Sequence, residues 1–561
     1  MQKKTVWQAV AEALDAEKTE YVFGLPGNPK HLIYDLTERT PVKFVLVRDE
    51  KSAVSCAYAY ARLKRRPGIV FSNPGPGITT LVTGMLEATS GSLPVIAIVN
   101  GVVSSHDGIG AFQELDAVGL MRPVTKWAVR VTDIKKIPWI MERAFAIAMN
   151  GRPGAVFIEI PSDLADAAVE MPDYRAGWQR HRSRPDAQAV AAAAEAIAAA
   201  KRPLLVCGSG AVFSGAADAV AKLADRVGMP VFSTPGGRGI YPEDGPYALG
   251  QTGLYFTEAG KRWWDEADLI VSVGSRLEAF STNSWAFWPR DARFIQIDID
   301  PETVGMNMRP DVALVGDAAL SLTDILQAMP PIDGSARKAR IEAIEGLRED
   351  YRPKLEMANG DNATPIKVPR VLDAVNRIFG RDTILMKENG GADLWCYYWP
   401  HYRVLDVDDC VPMAEQTAMS MGAIGAIGAK LAKPDKKVVC FAGDGAMQMS
   451  IVELATAAEL KCGITWVVLN NHAFGWVQYN QLLGRKPFVA TGFEVNSDFA
   501  AIARAQSCVG IRVERAEEID AAIEQALAAN AKGVPALVDV AIEPHYYHEH
   551  FERVHRARFD H

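Results

Sequence analysis

Cysteine is scarce in this chain of 561 residues, which has seven, an odd number, and no Cys-x-x-Cys pair. A disulfide framework and a thiolate metal site are therefore not expected. Basic residues are fewer than acidic ones, 60 against 68, which gives a formal net charge of −8. Because a basic surface is lacking, nucleic acid is not predicted as a partner.

Long apolar runs are also missing, since none reaches the roughly 20 residues needed to span a bilayer. The opening segment, MQKKTVWQAVAEALDAEK, lacks the apolar core of a signal peptide. We therefore expect no membrane partner and a cytoplasmic location. A hydrophobic content of 49% and a charged content of 23% are typical of globular proteins, which excludes wholesale disorder and a coiled coil.

What the sequence does contain is a repeated alternation of short apolar strands with helical patterns, in three blocks. The alternation predicts an α/β fold of three domains, each a mostly parallel sheet covered by helices. Polar stretches separate the blocks and place the domains at 1–175, 188–335 and 360–561. The strand candidates are 21–25, 44–47, 68–71, 95–99 and 155–160 in the first block, 203–211, 269–276, 293–302 and 312–317 in the second, and 383–386, 438–443, 465–470 and 536–542 in the third.

The strongest local signal lies at the ends of two strands in the third block. One strand ends in Gly-Asp-Gly at 443–445, a helix is predicted from about Gln448, and the next strand ends in an Asn pair at 470–471. Because ligands bind beyond the carboxyl ends of parallel strands, Asp444 and Asn471 are expected at the same edge of the sheet. Gly-Asp-Gly alone is a common turn, but the Asn pair one strand–helix–strand unit later makes the signal specific.

The residue types at these strand ends point to a magnesium diphosphate. Asp444, Asn471 and the backbone carbonyl of Ala473, together with phosphate oxygens, would suit Mg²⁺, which favours oxygen ligands shared with phosphates. The glycines let the backbone approach a diphosphate closely, and the N–H groups that open the helix face its negative charge. The predicted cofactor-binding residues in this segment are Gly443, Asp444, Gly445, Ala446 and Asn471.

Gly-Asp-Gly followed by an Asn pair is the fingerprint of thiamine diphosphate-dependent enzymes, and other segments extend the match over nearly the whole chain. These segments are FGLPGN (23–28), RDEKSAVSCAYAYAR (48–62), SNPGPG (72–77), GAFQELD (110–116), TKW (125–127), GRPGAVFIEIPSD (151–163), DIDPE (298–302) and AIGAKLAKPDKKVV (426–439). In order and spacing, the sequence resembles the acetolactate synthase-like family of thiamine diphosphate decarboxylases and carboligases.

The resemblance implies a lyase or transferase that uses thiamine diphosphate and Mg²⁺ to break or form a C–C bond next to a carbonyl. It implies pyrimidine-binding, central and diphosphate-binding domains in that order. It also implies active sites built between two subunits, so a homodimer or a dimer of dimers is expected. The expected substrates are small molecules, a 2-oxo acid, a ketone or an acyl-CoA.

Glu50 falls where the resemblance places the glutamate that hydrogen-bonds the pyrimidine ring of the cofactor. A carboxylic acid held against the ring nitrogen favours the tautomer of the cofactor that removes its own C2 proton. The alternative is a solvated glutamate at the start of a helix, where its charge suits the helix dipole. Met419 falls where the family has the bulky residue that bends the cofactor. Its alternative is core packing, together with Met421.

The remaining candidates face the substrate in the family. Gln113 and Phe112 lie in the segment that reaches toward it, and the alternative for Gln113 is a loop amide that caps a helix. His31, a candidate for proton transfer, and Asn28 follow the first strand, and the alternative is a structural histidine. Two further predicted pocket residues, which would cover the reacting carbon or else pack in the core, are His472 and Trp476.

The central block departs from the acetolactate synthases, which bind FAD there. Ser281, Thr282 and Asn283 stand where a basic cluster would be expected, and 250–260 lacks the usual flavin-contact pattern. FAD is therefore not expected, and the strict acetolactate synthase reaction stays open. The alternatives within the resemblance are a 2-hydroxyacyl-CoA lyase or oxalyl-CoA decarboxylase-like enzyme and a non-catalytic thiamine diphosphate-binding homologue. A nicotinamide dehydrogenase is an alternative from another class, but the sequence lacks the glycine fingerprint of such enzymes.

The C-terminal segment 543–561 is unlike the family's usual ending and contains five of the ten histidines. Clustered His, Tyr and Arg side chains would suit a lid over a substrate or a contact with the phosphates of coenzyme A. A surface helix or a frayed terminus is the simpler interpretation.

Overall fold

The computed structural model describes residues 2–27, 32–165, 167–545 and 549–556. The chain forms two compact units. The first unit comprises residues 1–181, 416–434 and 455–460, and the second unit comprises 182–415, 435–454 and 461–561. All seven cysteines lie among the described residues, are buried and are not paired in disulfides. Among the described residues, none of the helices combines the length and the apolar character needed to cross a membrane.

The first unit is built on a parallel sheet with strand order β3-β2-β4-β5-β7-β6. A short antiparallel pair, β1 with β8, accompanies it. The strands are β1 (Gln2–Thr5), β2 (Tyr21–Gly24), β3 (Lys43–Leu46), β4 (Gly68–Ser72), β5 (Val95–Gly101), β6 (Trp127–Arg130), β7 (Val156–Pro161) and β8 (Ala168–Met171). The helices are α1 (Val6–Ala16), α2 (Leu32–Arg39), α3 (Glu50–Lys64), α4 (Pro76–Ser90), α5 (Ala117–Met121), α6 (Ile137–Met149) and α7 (Ser162–Ala165).

Helix α17 (Met421–Ala432) also belongs to the first unit and packs on α3. The two helices approach so closely that a Cβ atom at Gly428 would lie 2.1 Å from the carbonyl oxygen of Cys56. Only glycine permits this approach. The buried contact fixes α3, whose first residue is Glu50.

The second unit contains two parallel sheets. The central one has the order β11-β10-β9-β12-β13-β14. Its strands are β9 (Pro203–Cys207), β10 (Val231–Ser233), β11 (Ala248–Gln251), β12 (Leu269–Val273), β13 (Arg293–Asp298) and β14 (Val312–Val315). Its helices are α8 (Ala187–Ala199), α9 (Ser209–Ser214), α10 (Ala217–Val227), α11 (Glu258–Asp265), α12 (Ala279–Thr282), α13 (Ala318–Ala328) and α14 (Gly334–Asn359).

The last sheet of the chain has the order β15-β16-β17-β19-β18 and is parallel throughout. Its strands are β15 (Thr383–Lys387), β16 (Lys437–Gly443), β17 (Ile464–Asn470), β18 (Val509–Val513) and β19 (Ala536–Ala541). The helices of this part of the sequence are α15 (Val368–Phe379), α16 (Gly391–Tyr397), α18 (Asp444–Gln448), α19 (Leu454–Glu459), α20 (Gly475–Leu483), α21 (Phe499–Ala505), α22 (Ile519–Asn530) and α23 (Glu549–Arg556).

The predicted α/β fold with three mostly parallel sheets is confirmed. The sequence analysis did not identify the edge strands β6, β11 and β18, the short buried strand β10, or the antiparallel pair β1–β8. It also placed the helix after Gly-Asp-Gly too late, because α18 begins at Asp444 rather than near Gln448. The predicted domain limits stay a prediction.

Candidate active site

Glu50 lies at the carboxyl edge of the first sheet, just after β3 and at the start of α3. Asp49 caps the helix by accepting a hydrogen bond from the backbone N–H of Lys51 at 2.7 Å. A carboxylate in the first helical turn is favoured by the helix dipole, as the alternative interpretation requires. Glu50 also lines a cavity of about 710 Å³, which a merely solvated residue would not need to do.

Gly77 keeps the space in front of Glu50 open. A Cβ atom at this position would lie 3.4 Å from Oε1 of Glu50 and 2.6 Å from Oγ of Ser72. The second distance is shorter than real Cβ contacts allow, so a side chain here would displace its neighbours. The lack of a side chain at Gly77 therefore leaves the carboxyl of Glu50 uncovered on this side.

Gln113 and Phe112 line the same cavity, and their role toward a substrate stays a prediction. Gln113 has a φ of 63°, a left-handed conformation that costs a residue with a side chain some free energy. Phe112 is 87% exposed in the single chain, and Ile109 in the same loop is 73% exposed. Apolar side chains this exposed beside a cavity are typical of a surface that a partner covers.

The carboxylate of Glu114 holds the loop that carries Phe112 and Gln113. It accepts hydrogen bonds from the backbone N–H groups of Gly108, of Gly110 at 2.9 Å and of Ala111 at 2.8 Å. These donors, that of Gly108 foremost, keep the pKa of the Glu114 carboxyl below its usual value. The loop is thus ordered by its own side chain.

Two asparagines of this cavity were missed by the sequence analysis. Asn73 follows β4, and its Nδ2 donates to the carbonyl of Leu25 at 3.0 Å, which turns its Oδ1 toward Asn100 near the end of β5. Asn100 donates to that oxygen through Nδ2 at 3.4 Å. Its own Oδ1 is buried and receives no hydrogen bond from the described residues. The signal was available, since each asparagine lies at the end of an apolar strand.

The other first-unit candidates differ in what the structure says of them. Met419 is half-buried in the segment before α17, whereas Met421 is fully buried and contacts Oγ of Ser55 through its sulfur at 3.0 Å. Core packing therefore describes Met421, and the wedge role of Met419 stays a prediction. His31 and Asn28 lie outside the described residues.

Asp444 lies at the carboxyl end of β16, where Gly443 pairs with Leu469 of β17. It is 1% exposed, and its Oδ1 accepts a hydrogen bond from the N–H of Gly445 at 2.9 Å. Its Oδ2 is buried and has no donor among the described residues. A buried carboxylate with an unsatisfied oxygen is costly unless a cation or a ligand completes it.

The electrostatics of Asp444 agree with that interpretation. Burial raises the pKa of the Asp444 carboxyl to about 6, while the backbone N–H groups of Gly445, His472 and Ala473 oppose the rise. Of these three groups, only that of Gly445 is close enough and well enough aligned for a hydrogen bond. No ion pair reaches it within the part of the chain that the structure describes. That part also contains no group of three or more His, Cys, Asp or Glu able to hold a metal ion, so a cation here would need amide and carbonyl oxygens as well.

The segment after β17 supplies those oxygens. The N–H of Phe474 donates to the carbonyl of Thr491, and the N–H of Phe493 donates to the carbonyl of His472, both at 2.8 Å. These two bonds form a bridge around Ala473 and leave its own carbonyl outside the bridge. The predicted ligands Asp444, Asn471 and Ala473 thus lie on two neighbouring strand ends.

Glycines keep this region compact. A Cβ atom at Gly475 would lie 2.6 Å from Nδ2 of Asn471, and one at Gly445 would lie 2.7 Å from the ring of Phe474. Gly475 therefore leaves room for the side chain of Asn471, and Gly445 leaves room for the ring of Phe474. Ala446, the next predicted cofactor-binding residue, is buried in α18.

His472 and Trp476, the predicted pocket residues, differ in exposure. His472 is exposed and has a φ of 56°, whereas Trp476 is half-buried. The Trp476 ring lies 5.7 Å from that of Phe280 and 6.3 Å from that of His555, and its Nε1 has no acceptor among the described residues. The described part of the C-terminal segment, α23, therefore packs against α20, and the role of the whole segment 543–561 stays a prediction.

Comparison with known proteins agrees with this geometry. Three family models of thiamine pyrophosphate enzymes match the chain, one for each domain. They are the N-terminal TPP binding domain over residues 4–120, the central domain over 190–325 and the C-terminal TPP binding domain over 394–540. The chain belongs to the thiamine pyrophosphate enzyme family. It is therefore an enzyme that depends on thiamine diphosphate, the same cofactor under its other name.

Relatives of this thiamine pyrophosphate enzyme share nearly its full length. It is 31% identical over 555 residues to the probable acetolactate synthase large subunit of Methanocaldococcus jannaschii, with 96% of this chain and 92% of the relative covered. It is 30% identical over 559 residues to the acetolactate synthase large subunit of Haemophilus influenzae, with 98% and 96% covered. It is 30% identical over 537 residues to the acetolactate synthase isozyme 2 large subunit of Escherichia coli, with 96% and 95% covered. The family resemblance seen in the motifs is confirmed.

Proposed function

We propose that this enzyme requires Mg²⁺ as well as thiamine diphosphate and that it acts as an acetolactate synthase-like carboligase. A 2-oxo acid is decarboxylated, and the remaining fragment is joined to a second carbonyl compound. The names of the full-length relatives support the reaction class. The observation that carries the proposal is the buried Asp444 carboxylate, whose Oδ2 has no donor among the described residues at the edge where ligands of parallel sheets bind.

The donor set around Asp444 fits a magnesium diphosphate. Mg²⁺ favours carboxylate, amide and carbonyl oxygens completed by phosphate, and Asp444, Asn471 and Ala473 offer the first three. The N–H groups at the start of α18 face a diphosphate favourably, although one of them, that of Gly445, is already used by Asp444.

The residues of the Glu50 cavity would handle the reacting groups. When bound, thiamine diphosphate supplies a carbon nucleophile that adds to a carbonyl group and accepts the electrons released by bond cleavage. Glu50 holds a proton at the pyrimidine nitrogen, which is general acid–base catalysis. The amide of Gln113 would orient the substrate without adding charge, and His472 and Trp476 would exclude water from the reacting groups.

A partner subunit completes the site in this proposal. Phe112 and Ile109 are largely exposed beside the Glu50 cavity, and a second copy of the chain would cover them. The enzyme would then be a homodimer or a dimer of dimers, in which one protomer supplies Glu50 and its partner supplies Asp444. Closed symmetric dimers of this kind are the commonest oligomers.

FAD is not part of the proposal. Ser281, Thr282 and Asn283 are buried, and the hydroxyl groups of the first two donate to the carbonyl of Glu278 at 3.0 and 2.9 Å. The hydroxyl groups of Ser281 and Thr282 are thus used within the chain.

The metal assignment is tested by titrating thiamine diphosphate calorimetrically with and without Mg²⁺. We expect the native protein to bind only with Mg²⁺ and Asp444→Ala to lose that binding. Asp435→Ala is the matched control, because Asp435 is an exposed carboxylate just before the opposite end of β16. Equal binding by the Asp444→Ala and native proteins would refute the assignment.

The reaction is tested with the holoenzyme and a panel of donors, namely pyruvate, glyoxylate, benzoylformate and a 2-hydroxyacyl-CoA. Release of CO₂ together with a new C–C bonded product from a 2-oxo acid is expected. Turnover confined to the CoA thioester would contradict the 2-oxo acid and support the lyase alternative. Cofactor binding with no turnover of any donor would support the non-catalytic homologue.

A further inference from the structure

Asn470, the first residue of the Asn pair, has no ligand role in the proposed site, yet it is buried and both ends of its side-chain amide are hydrogen-bonded. It ends β17 and is 2% exposed. Its Nδ2 donates to Oδ1 of Asp539 at 2.9 Å. Its Oδ1 accepts from Nδ2 of Asn496 at 2.5 Å and from the N–H of His472 at 3.4 Å. The amide therefore connects β19 to the backbone just after β17.

Asp539 is the fixed end of this chain of contacts. It lies on β19 and is 1% exposed. Its Oδ2 accepts a hydrogen bond from Nη1 of Arg512 on the neighbouring strand β18 at 2.7 Å. Arg512 balances the buried charge, so Asp539 can accept the Asn470 amide without an unpaired oxygen. A polar cavity of about 340 Å³ adjoins these residues.

The far end of the chain of contacts is the loop that would bind the metal. Asn470 holds the N–H of His472, whose φ of 56° turns the backbone between Asn471 and Ala473. A left-handed residue at this point persists only if its surroundings hold it. The direction of the Asn471 side chain and of the Ala473 carbonyl therefore depends on the anchor behind them.

We infer that Asn470 and Asp539 are positioning residues for the metal-binding loop. The inference rests on the proposed function, because the loop matters only if Asn471 and Ala473 bind Mg²⁺. Asn470 and Asp539 touch neither the metal nor the substrate. They orient the groups that would, and residues that orient metal ligands typically contribute about 10–100-fold to metal affinity.

Two substitutions of Asp539 separate positioning from stability. Asp539→Asn and Asp539→Leu both remove the charge paired with Arg512, and both keep the branching of Asp at Cγ, although Leu is bulkier. Asn keeps an oxygen that can accept from Nδ2 of Asn470, whereas Leu does not. The lost ion pair is common to both variants, and the cost of the extra bulk of Leu is measured separately as a melting temperature. A difference in Mg²⁺ requirement that is absent from an equally destabilised control then indicates a role through Asn470.

The measurement is the Mg²⁺ concentration that gives half-maximal binding of thiamine diphosphate, followed by calorimetry. We expect it to rise about 10–100-fold in Asp539→Leu and in Asn470→Ala and to stay within a few-fold of the native value in Asp539→Asn. The control is Thr465→Val, which removes a buried hydrogen bond of 2.6 Å to Asn530 at the opposite end of β17. It should lower the melting temperature and leave the Mg²⁺ requirement unchanged.

The outcomes are distinct from those of the proposed function. The positioning role is wrong if Asp539→Leu and Asp539→Asn need the same Mg²⁺ concentration for half-maximal cofactor binding. It is also wrong if Asn470→Ala needs no more Mg²⁺ than the control Thr465→Val. If Asp444→Ala also binds normally, the metal site itself is wrong. Loss of binding in Asp444→Ala with a native Mg²⁺ requirement in Asn470→Ala would overturn the positioning role alone.

Discussion

At the scale of single residues, the chemistry of the proposed site is divided between two carboxylates in different settings. Glu50 lines an open cavity at the start of a helix, whereas Asp444 is buried at a strand end with an unsatisfied oxygen. A group beside a cavity can hold and release a proton. A buried group without a counter-charge is better suited to a fixed cation.

The role of Glu50 leads to a prediction about the bound cofactor. Glu50→Gln should still bind thiamine diphosphate, but its C2 proton should exchange about 10²–10⁴-fold more slowly, because the amide cannot relay a proton. The measurement is hydrogen–deuterium exchange at C2 of the bound cofactor. Glu38→Gln, an exposed glutamate on α2, is the control and should exchange at the native rate. Equal C2 exchange rates in Glu50→Gln and in the control would contradict the proton relay.

Glu114 leads to a prediction about the loop that carries Gln113. In Glu114→Gln, one carboxylate oxygen becomes an NH₂ group that cannot accept from the backbone N–H groups around it. The loop should loosen, and KM for the substrate should rise several-fold while cofactor affinity stays native. Steady-state kinetics and calorimetry measure the two effects. A native KM would show that Glu114 does not order the loop.

The sequence could predict some of these residues and not others. Asp444 and Asn471 follow from one rule, that ligands meet the ends of parallel strands. Asn73 and Asn100 obey the same rule, but Asn100 lies outside every family segment, and Asn73, although it is part of SNPGPG (72–77), was not singled out as a site residue. Asp539 lies 69 residues from Asn470, and only the strand order brings the two together.

At the scale of helices and strands, local sequence predicted the long buried strands but missed the edge strands β6, β11 and β18 and the buried β10, which has only three residues. Central strands such as β5 and β17 are wholly buried, and their continuous apolar runs are distinctive. The edge strands β6 and β18 are partly exposed and carry mixed residues, so the apolar signal fades there. Helix α18 began earlier than expected because Gly443 serves as its N-cap.

The close contact between α3 and α17 leads to a prediction about stability. Replacing a glycine by alanine should destabilise the protein at this contact and stabilise it at an exposed helix position. Gly428→Ala should destabilise the protein by about 1–3 kcal/mol or more, since its Cβ atom would press against Cys56 and separate the helices. Gly346→Ala, in the exposed middle of α14, meets nothing within 4 Å and should stabilise by about 0.5–1 kcal/mol. Urea unfolding measures both. Similar signs for the two would contradict the close-packing argument.

Helix α23 leads to a prediction about pH. Burial lowers the pKa of His550 from 6.5 to about 4, with Glu258 opposing this and Arg553, Lys261 and Lys354 adding to it. Between these two values the unfolded chain binds more protons than the folded one. The stabilisation from neutral His550 is therefore complete above pH 6.5 and is lost as the pH falls toward 4.

The expected result is a lower urea midpoint at pH 5 than at pH 7 in the native protein and a smaller difference in His550→Gln. His106→Gln, which changes an exposed histidine of the first unit, should keep the native pH dependence. If His550→Gln loses as much stability on acidification as the native protein, burial of this histidine has no part in the effect.

At the scale of the whole molecule, the proposed partnership of two subunits can be tested by mixing inactive variants. Glu50→Gln and Asp444→Ala should each be inactive alone. In random mixed dimers, half the molecules carry one subunit of each kind, and one of their two sites then has both residues intact. About a quarter of native activity should return on mixing and refolding. No recovery would mean that each chain supplies its own Glu50 and Asp444.

The distribution of the buried thiols between the two units allows the unfolding of each unit to be measured. Cys56 is the one cysteine in the sequence of the first unit, and the other six belong to the second. A thiol reagent can modify either group only when the surrounding structure gives way. Mass spectrometry of the labelled protein over time would therefore measure the opening rate of each unit separately. The native sequence can be used, without added cysteines.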